Sequence, residues 1–175
     1  MSLSENLSFA LNLKEKQEIK KTDLDDIDNY IYTANIRIDA ILAITEDSST
    51  IAAEAVTGML CEKSNDSVNL SGADEAKKLS VCLRDGEIIL RYITYGLLTE
   101  DASIFDKSCL KDLKSTYLSL GVSIPNVVRV IEIMRNGTLK IVKNRLDSKS
   151  VDVIHQLLEK EIKMYFDKII YMINH

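Results

Sequence analysis

One proline and six glycines in 175 residues leave little of the punctuation that a many-stranded protein needs. No run of about 18 apolar residues occurs, so no membrane-spanning helix is expected. Cysteine is scarce and odd in number. Cys61, Cys82 and Cys109 argue against a disulfide framework and for free thiols in a reducing compartment. Histidine is scarcer still, with His155 and His175 only, so the middle of the chain offers no proximal ligand for a haem. His155 reads as a polar residue on a helix surface, and His175 as a terminal one. There is no glycine-rich phosphate loop, no CxxC, and no His or Cys pair at metal-ligand spacing. A Cys–His catalytic pair would require His155 to fold onto Cys82 or Cys61. No enzyme is expected. The opening Met1-Ser2-Leu3-Ser4-Glu5 lacks the basic-then-apolar pattern of a secretory signal.

What is present is ordinary globular material: 46% hydrophobic and 28% charged residues, with a net charge of -5. The acidic balance argues against nucleic acid as a general partner. Charge is uneven, with 9 Lys+Arg against 6 Asp+Glu in residues 129–175, and 13 against 21 before them. The basic segment is read as a solvated helix face. The length suits one domain with a sizeable core.

The apolar spacing is helical. Leu24, Ile27, Ile31, Ala34, Ile38 and Ile41 step by three and four, with Thr22 ahead of them as an N-cap. Leu79, Leu83, Gly86, Leu90, Ile93 and Leu97 repeat the stepping. Pro125 opens a helix carrying Val128, Ile131 and Met134. Ser150 caps a last helix with Ile154, Leu157, Leu158, Ile162, Tyr165, Phe166 and Ile169. Polar breaks are expected at residues 45–49, 62–75, 99–103, 136–138 and 147–150. The expectation is a single all-α domain of roughly seven to nine helices. Its first helix, near Ser4–Ile19, is weakly amphipathic, as a helix is when it completes its burial on a partner.

The densest chemical feature is the stretch from Lys77 to Asp85. On a helix Lys78, Cys82 and Asp85 stand at i, i+4 and i+7 and form one stripe at the edge of the core. Such a thiol can add to an unsaturated carbon, its basic neighbours can pair with an acidic ligand, and the carboxylate can accept N–H groups. The competing reading is a small core cysteine among solvated charges. Spacing alone leaves both open.

The run Cys82-Leu-Arg-Asp-Gly-Glu-Ile-Ile-Leu-Arg-Tyr-Ile-Thr-Tyr95 resembles the chromophore helix of phycobiliprotein β subunits. The likeness continues through Asp101-Ala-Ser103, Cys109-Leu110 and Thr116-Tyr-Leu-Ser-Leu-Gly121. Upstream it includes Asn35-Ile-Arg-Ile-Asp39 and Ala55-Val-Thr-Gly-Met-Leu-Cys-Glu62, and near the end Tyr165-Phe166-Asp167. Gly86-Glu87 and the placing of Cys61 are similar to phycoerythrin rather than phycocyanin or allophycocyanin. The resemblance implies a globin-like bundle over residues 35–175, preceded by N-terminal helices within 1–34 that pack on an α subunit. It implies an open-chain tetrapyrrole, phycoerythrobilin or a relative, joined to Cys82 by a thioether that a bilin lyase helps to form. Asp85 would accept N–H bonds from the two central pyrroles. Arg84, Lys77 and Lys78 would pair with the propionates, and Tyr117 would wall the pocket. Light harvesting on the cytoplasmic side of a thylakoid membrane, in a phycobilisome with a linker polypeptide, is the implied setting.

The chain also departs from the family. Lys77 and Lys78 stand where the family has arginines, and a lysine cannot make the bidentate fork. Gly72 replaces an asparagine, Thr50 an attachment cysteine, and His155 falls about where another attachment cysteine lies. The region around Leu13 lacks an aspartate used against the partner subunit. One bilin per chain is therefore expected. Cys61 is the candidate for a second bilin attachment, but it is expected to be unmodified, because Ala55, Val56, Met59 and Leu60 suggest a core thiol of raised pKa. Two other readings stand beside the antenna: a bilin-carrying photoreceptor or minor accessory pigment, and a chromophore-free globin-like interaction protein.

Overall fold

A computed structural model describes residues 21–63, 73–106, 112–146 and 152–175. Among the described residues six α-helices run in sequence: α1 (Lys21–Glu46), α2 (Ser48–Lys63), α3 (Ala73–Thr99), α4 (Leu113–Ser119), α5 (Ile124–Leu146) and α6 (Asp152–Asn174). A single 3-10 turn, Ala102–Ile104, follows α3. No strand occurs among the described residues, and none of their helices is long and apolar enough to cross a membrane. The all-α reading therefore stands.

α5 is the hub. It lies against α1, α2 and α6, while α3 crosses α1 and α2 and meets α6. Its buried row, Val127, Val130, Ile131, Met134, Thr138, Val142 and Leu146, keeps the three-and-four stepping over the full length. A break was expected at residues 136–138, but the helix runs straight through them. A side chain at Gly137 would stand 3.7 Å from Ile51. The helix survives there because α2 packs on it, and tertiary burial outweighs the low propensity of Asn136 and Gly137.

The other boundaries follow local chemistry. At the break expected around residues 45–49, the chain turns at Asp47 alone: its N–H donates to Ala43 and its carbonyl receives Ile51. α3 stops at Glu100, whose φ of 54° is the left-handed conformation that ends helices. Asp101 then caps the 3-10 turn, accepting from the Ser103 N–H at 2.8 Å. Pro125 lies in the first turn of α5, where a missing N–H costs nothing. Thr22, expected as an N-cap, is instead helical. Ser150 and the Ser4–Ile19 helix lie outside the described residues.

α1 corrects the sequence reading most. Its apolar row through Leu24, Ile31 and Ile38 is about half exposed, at 51%, 50% and 46%. The buried face is Ile36, Ala40, Ala43 and Ile44. The helix was read rightly but its core face was not, because small Ala40 and Ala43 let α1 lie close to its neighbours. α1 also runs unbroken across positions 34 and 35. In α3 the expected row becomes fully buried from Gly86 onward, with Leu79 and Leu83 half-buried. In α6 the expected row is buried or half-buried except for Leu157, which is exposed.

Candidate functional site

The first half of α3 carries five of the predicted side chains. Lys77 and Arg84 are exposed, Lys78 and Cys82 half-buried, and Asp85 only 2% exposed. Tyr117 comes from α4 and is also buried at 2%. The turn after α4 places it: the Tyr117 carbonyl receives the Val122 N–H at 2.9 Å, and Gly121 takes a φ of 66°. The Lys78 ammonium lies over that turn, 3.8 Å from where a Gly121 Cβ would sit. The stripe and Tyr117, far apart in sequence, thus share one corner of the molecule.

Between α3, α4 and α5 is a crevice of about 10 Å³ bordered by Cys82, Tyr117, Ile131 and Met134. That is room for roughly one water, so a large ligand at Cys82 would lie along the surface with its attachment edge here. Gly86 makes the tight junction possible: a Cβ would meet Ala52 at 3.2 Å and the Met134 sulfur at 3.5 Å. Neither Gly86's role nor the α5 wall was anticipated. Only a glycine inside a strong apolar row hinted at a close approach.

Electrostatics single out Asp85. Arg84 donates to its Oδ1 from both Nε (3.0 Å) and Nη2 (2.9 Å). Oδ2 is buried and has no hydrogen-bond partner. A buried carboxylate oxygen left without a donor costs about 1–3 kcal/mol or more, which makes Oδ2 an acceptor that an N–H donor would satisfy. Burial and then the Asp85 carboxylate push the Cys82 thiol above its ordinary value. Burial and Asp85, with Cys82 behind them, raise the Tyr117 phenol far above its usual range. The stripe does not activate its own thiol; burial and Asp85 disfavour the Cys82 thiolate.

The remaining candidates lie elsewhere. Cys61 is exposed near the end of α2, which overturns the expectation of a core thiol: its apolar neighbours Ala55, Val56 and Met59 are buried on the other face. Thr50 is exposed in the first turn of α2. His155 is half-buried with its Nε2 unpartnered. Cys109, Gly72 and Leu13 lie outside the described residues. No cluster of metal-ligating side chains occurs among the described residues.

A tetrapyrrole fits this donor set. It needs a reachable thiol, a carboxylate acceptor for ring N–H groups and cations for propionates, and an orphaned buried oxygen is what such a ligand would satisfy.

Comparison with known proteins agrees. The family model described as phycobilisome protein matches residues 14–173. The R-phycoerythrin subunit beta of Prochlorococcus marinus subsp. pastoris is 47% identical over 149 residues, covering 85% of each chain. Another R-phycoerythrin subunit beta, from Prochlorococcus marinus, is 38% identical over 164 residues, covering 89% of this chain and 90% of the relative. The R-phycoerythrin beta chain of Aglaothamnion neglectum is 36% identical over 153 residues, covering 85% of this chain and 86% of the relative. A match over nearly the whole chain, with helices and a corner that suit the family's pigment, leaves one conclusion: the chain belongs to the phycobilisome protein family.

Proposed function

We infer that the chain is a bilin-bearing light-harvesting subunit of the phycoerythrin β type, with its chromophore joined to Cys82. The observation that carries the reading is the buried, unpartnered Oδ2 of Asp85, one helical turn from a half-buried cysteine. The bilin would supply visible absorption and an excited state that can be passed on. Asp85 would hold the ring N–H groups, Lys77, Lys78 and Arg84 would offer cations to the propionates, and Tyr117 would restrict rotation at the buried edge. The bilin is phycoerythrobilin or a close relative, one per chain: Thr50 and His155 cannot form thioethers, and the exposed Cys61 is the one remaining described thiol that peptide mapping has to show unmodified. The raised pKa of Cys82 makes spontaneous addition slow, which favours attachment by a lyase.

The partner is an α subunit of the same class. The half-exposed row on α1 runs toward a groove of about 340 Å³ between α1 and α3, bordered by Ile41, Leu90, Arg91, Tyr95 and Leu98. An apolar face of this extent, with an arginine in the groove, suits an amphipathic helix bearing a carboxylate. A linker polypeptide and peripheral placement at a thylakoid surface complete the proposal.

The test is co-expression with bilin synthesis and a suitable lyase. The product should be coloured, and its intact mass should exceed the chain by one bilin, found on the Cys82 peptide alone. Cys82→Ala should lose covalent pigment, and Cys109→Ala should keep it. Pigment surviving denaturing electrophoresis on Cys82→Ala, or a second bilin on the Cys61 peptide, would sink the assignment.

A further inference from the structure

α6 turns one apolar stripe to the core and a second to solvent. Leu158, Ile162, Tyr165 and Ile169 are buried, while Val153, Leu157, Met164 and Tyr171 are 65%, 61%, 50% and 63% exposed. Leu157, Met164 and Tyr171 recur every seven residues and Val153 stands one turn before them, so the four share one strip opposite the core. From Val153 to Tyr171 the strip is about 27 Å long at 1.5 Å per residue. Two exposed charges of opposite sign interrupt it: Lys160, four residues before Met164, and Asp167, three after. Arg135 donates to Oδ1 of Asp167, yet the Asp167 side chain stays 59% exposed. We propose that this strip is a homodimer interface, in which α6 lies antiparallel to α6 of a second copy about a two-fold axis at Met164.

The placement of charge selects that occupant. A two-fold axis makes a surface meet itself, so the strip has to complement its own reverse. About Met164, Leu157 of each copy comes against Tyr171 of the other, and each Lys160 comes beside Asp167 of the second copy. Two ion pairs then flank a central apolar contact. A parallel pairing would set lysine against lysine and aspartate against aspartate, so the charges also fix the direction. Lys163, next to the axis, is drawn back along its own helix to Glu159 at 3.4 Å, which lessens repulsion there. The outer row of α1 has Asp28 and Asn35 between its apolar residues and no cation, so it does not complement itself and suits a different partner. The dimer is independent of the pigment, since no residue of α6 borders the crevice at Cys82. One helix pair buries less than a standard interface, so the dissociation constant should be on the order of 10–100 µM.

Sedimentation velocity of the full chain, pigmented or not, from about 1 to about 500 µM tests this. The parent should pass from monomer to dimer as concentration rises. Met164→Glu sets like charges together at the axis and should weaken the dimer about tenfold or more, with helicity and melting temperature unchanged. Lys160→Glu and Asp167→Lys should each dimerise more weakly than the parent when alone. Mixed in equal amounts they should associate again, because each offers the charge that the other lacks. Damage to the fold cannot produce that recovery. Should Asp167→Lys fail to fold, Met164→Cys decides: under a mild oxidant, peptide mapping should find a disulfide joining position 164 of two copies. The proposal is overturned if the parent stays monomeric throughout, if Met164→Glu leaves the dimer intact, if the mixture recovers nothing, or if position 164 forms no disulfide with itself. A dimer lost instead in Ile31→Glu with Ile38→Glu places the contact on α1 and overturns it too. A chain that takes up no pigment overturns the bilin reading and leaves this measurement untouched.

Discussion

Cys82 and Cys61 show how much a thiol depends on what surrounds it. Cys61 is exposed, whereas Cys82 is half-buried and its pKa is raised first by burial and then by Asp85. Both effects disfavour thiolate, the nucleophilic form. At pH 8, iodoacetamide should therefore modify Cys61 first and Cys82 severalfold more slowly, because burial both shields the Cys82 thiol and disfavours its thiolate. The Cys82 rate should keep rising with pH after an ordinary exposed thiol has levelled off, and Asp85→Asn should quicken it. Peptide mapping of timed samples reads both rates; equal labelling of the two cysteines would contradict the burial argument. Asp85 carries the opposite signature. Its Oδ2 is buried without a hydrogen-bond partner, so Asp85→Asn should stabilise the unpigmented chain by about 1 kcal/mol. A fall in its urea midpoint would show that the carboxylate is structural.

At the scale of elements, two glycines in helix interiors make opposite demands. In α3, a Cβ at Gly96 would stand 3.1 Å from the Tyr165 ring and 3.2 Å from Phe105. Those rings pack at 5.2 Å between centroids, and the Tyr165 hydroxyl donates to the Gly96 carbonyl at 3.1 Å. The glycine is what lets α6 and the turn after α3 close on α3. Gly96→Ala should cost about 1–3 kcal/mol by overpacking. In α5, Gly137 has only Ile51 at 3.7 Å, an ordinary contact, so Gly137→Ala should stabilise by about 0.5–1 kcal/mol through helix propensity. Denaturant midpoints of the two variants should move in opposite directions. Movement in the same direction would refute the packing account.

Across the whole molecule, Arg37 ties α1 to the rest. Its Nη1 donates to Glu161 on α6 at 2.7 Å and to the Leu97 carbonyl of α3 at 3.1 Å, and its Nε approaches Glu100 at 3.5 Å. The Tyr165 hydroxyl completes the knot, its single proton shared between Glu161 at 2.6 Å and the Gly96 carbonyl. Arg37→Met should cost about 3 kcal/mol, because Glu161 keeps its charge in a part-buried site without its cation. Thermal unfolding checks the size of the loss. The outer face of α1 should behave differently. Ile31→Glu with Ile38→Glu touches half-exposed positions and should leave stability within about 0.5 kcal/mol, yet abolish co-purification with an α subunit. Retained co-elution on gel filtration would place the partner elsewhere.

Much of this protein was legible in the sequence because helices announce themselves by period. The scarcity of proline and glycine, the three-and-four stepping and the Lys78–Cys82–Asp85 stripe depend on local geometry that every α-helix shares. The all-α class, the helices and the common face of Lys78, Cys82 and Asp85 were readable on those grounds, whereas a pigment at Cys82 was implied only by the resemblance to phycobiliprotein β subunits. What periodicity cannot say is which apolar face meets the core. On α1 the conspicuous isoleucine row is left outside, and small alanines take the inside, a choice made by neighbouring helices remote in sequence. The same holds for the break expected at residues 136–138, which α2 packs into continuous helix. It holds for Cys61, whose apolar sequence neighbours face inward while it faces out. Tyr117 reaches the corner of Cys82 and Asp85 only through the turn after α4, and Arg84 chooses Asp85 only once burial has withdrawn the carboxylate from water. Local pattern determined the helices and their chemistry; long-range packing decided which side of each helix would do what.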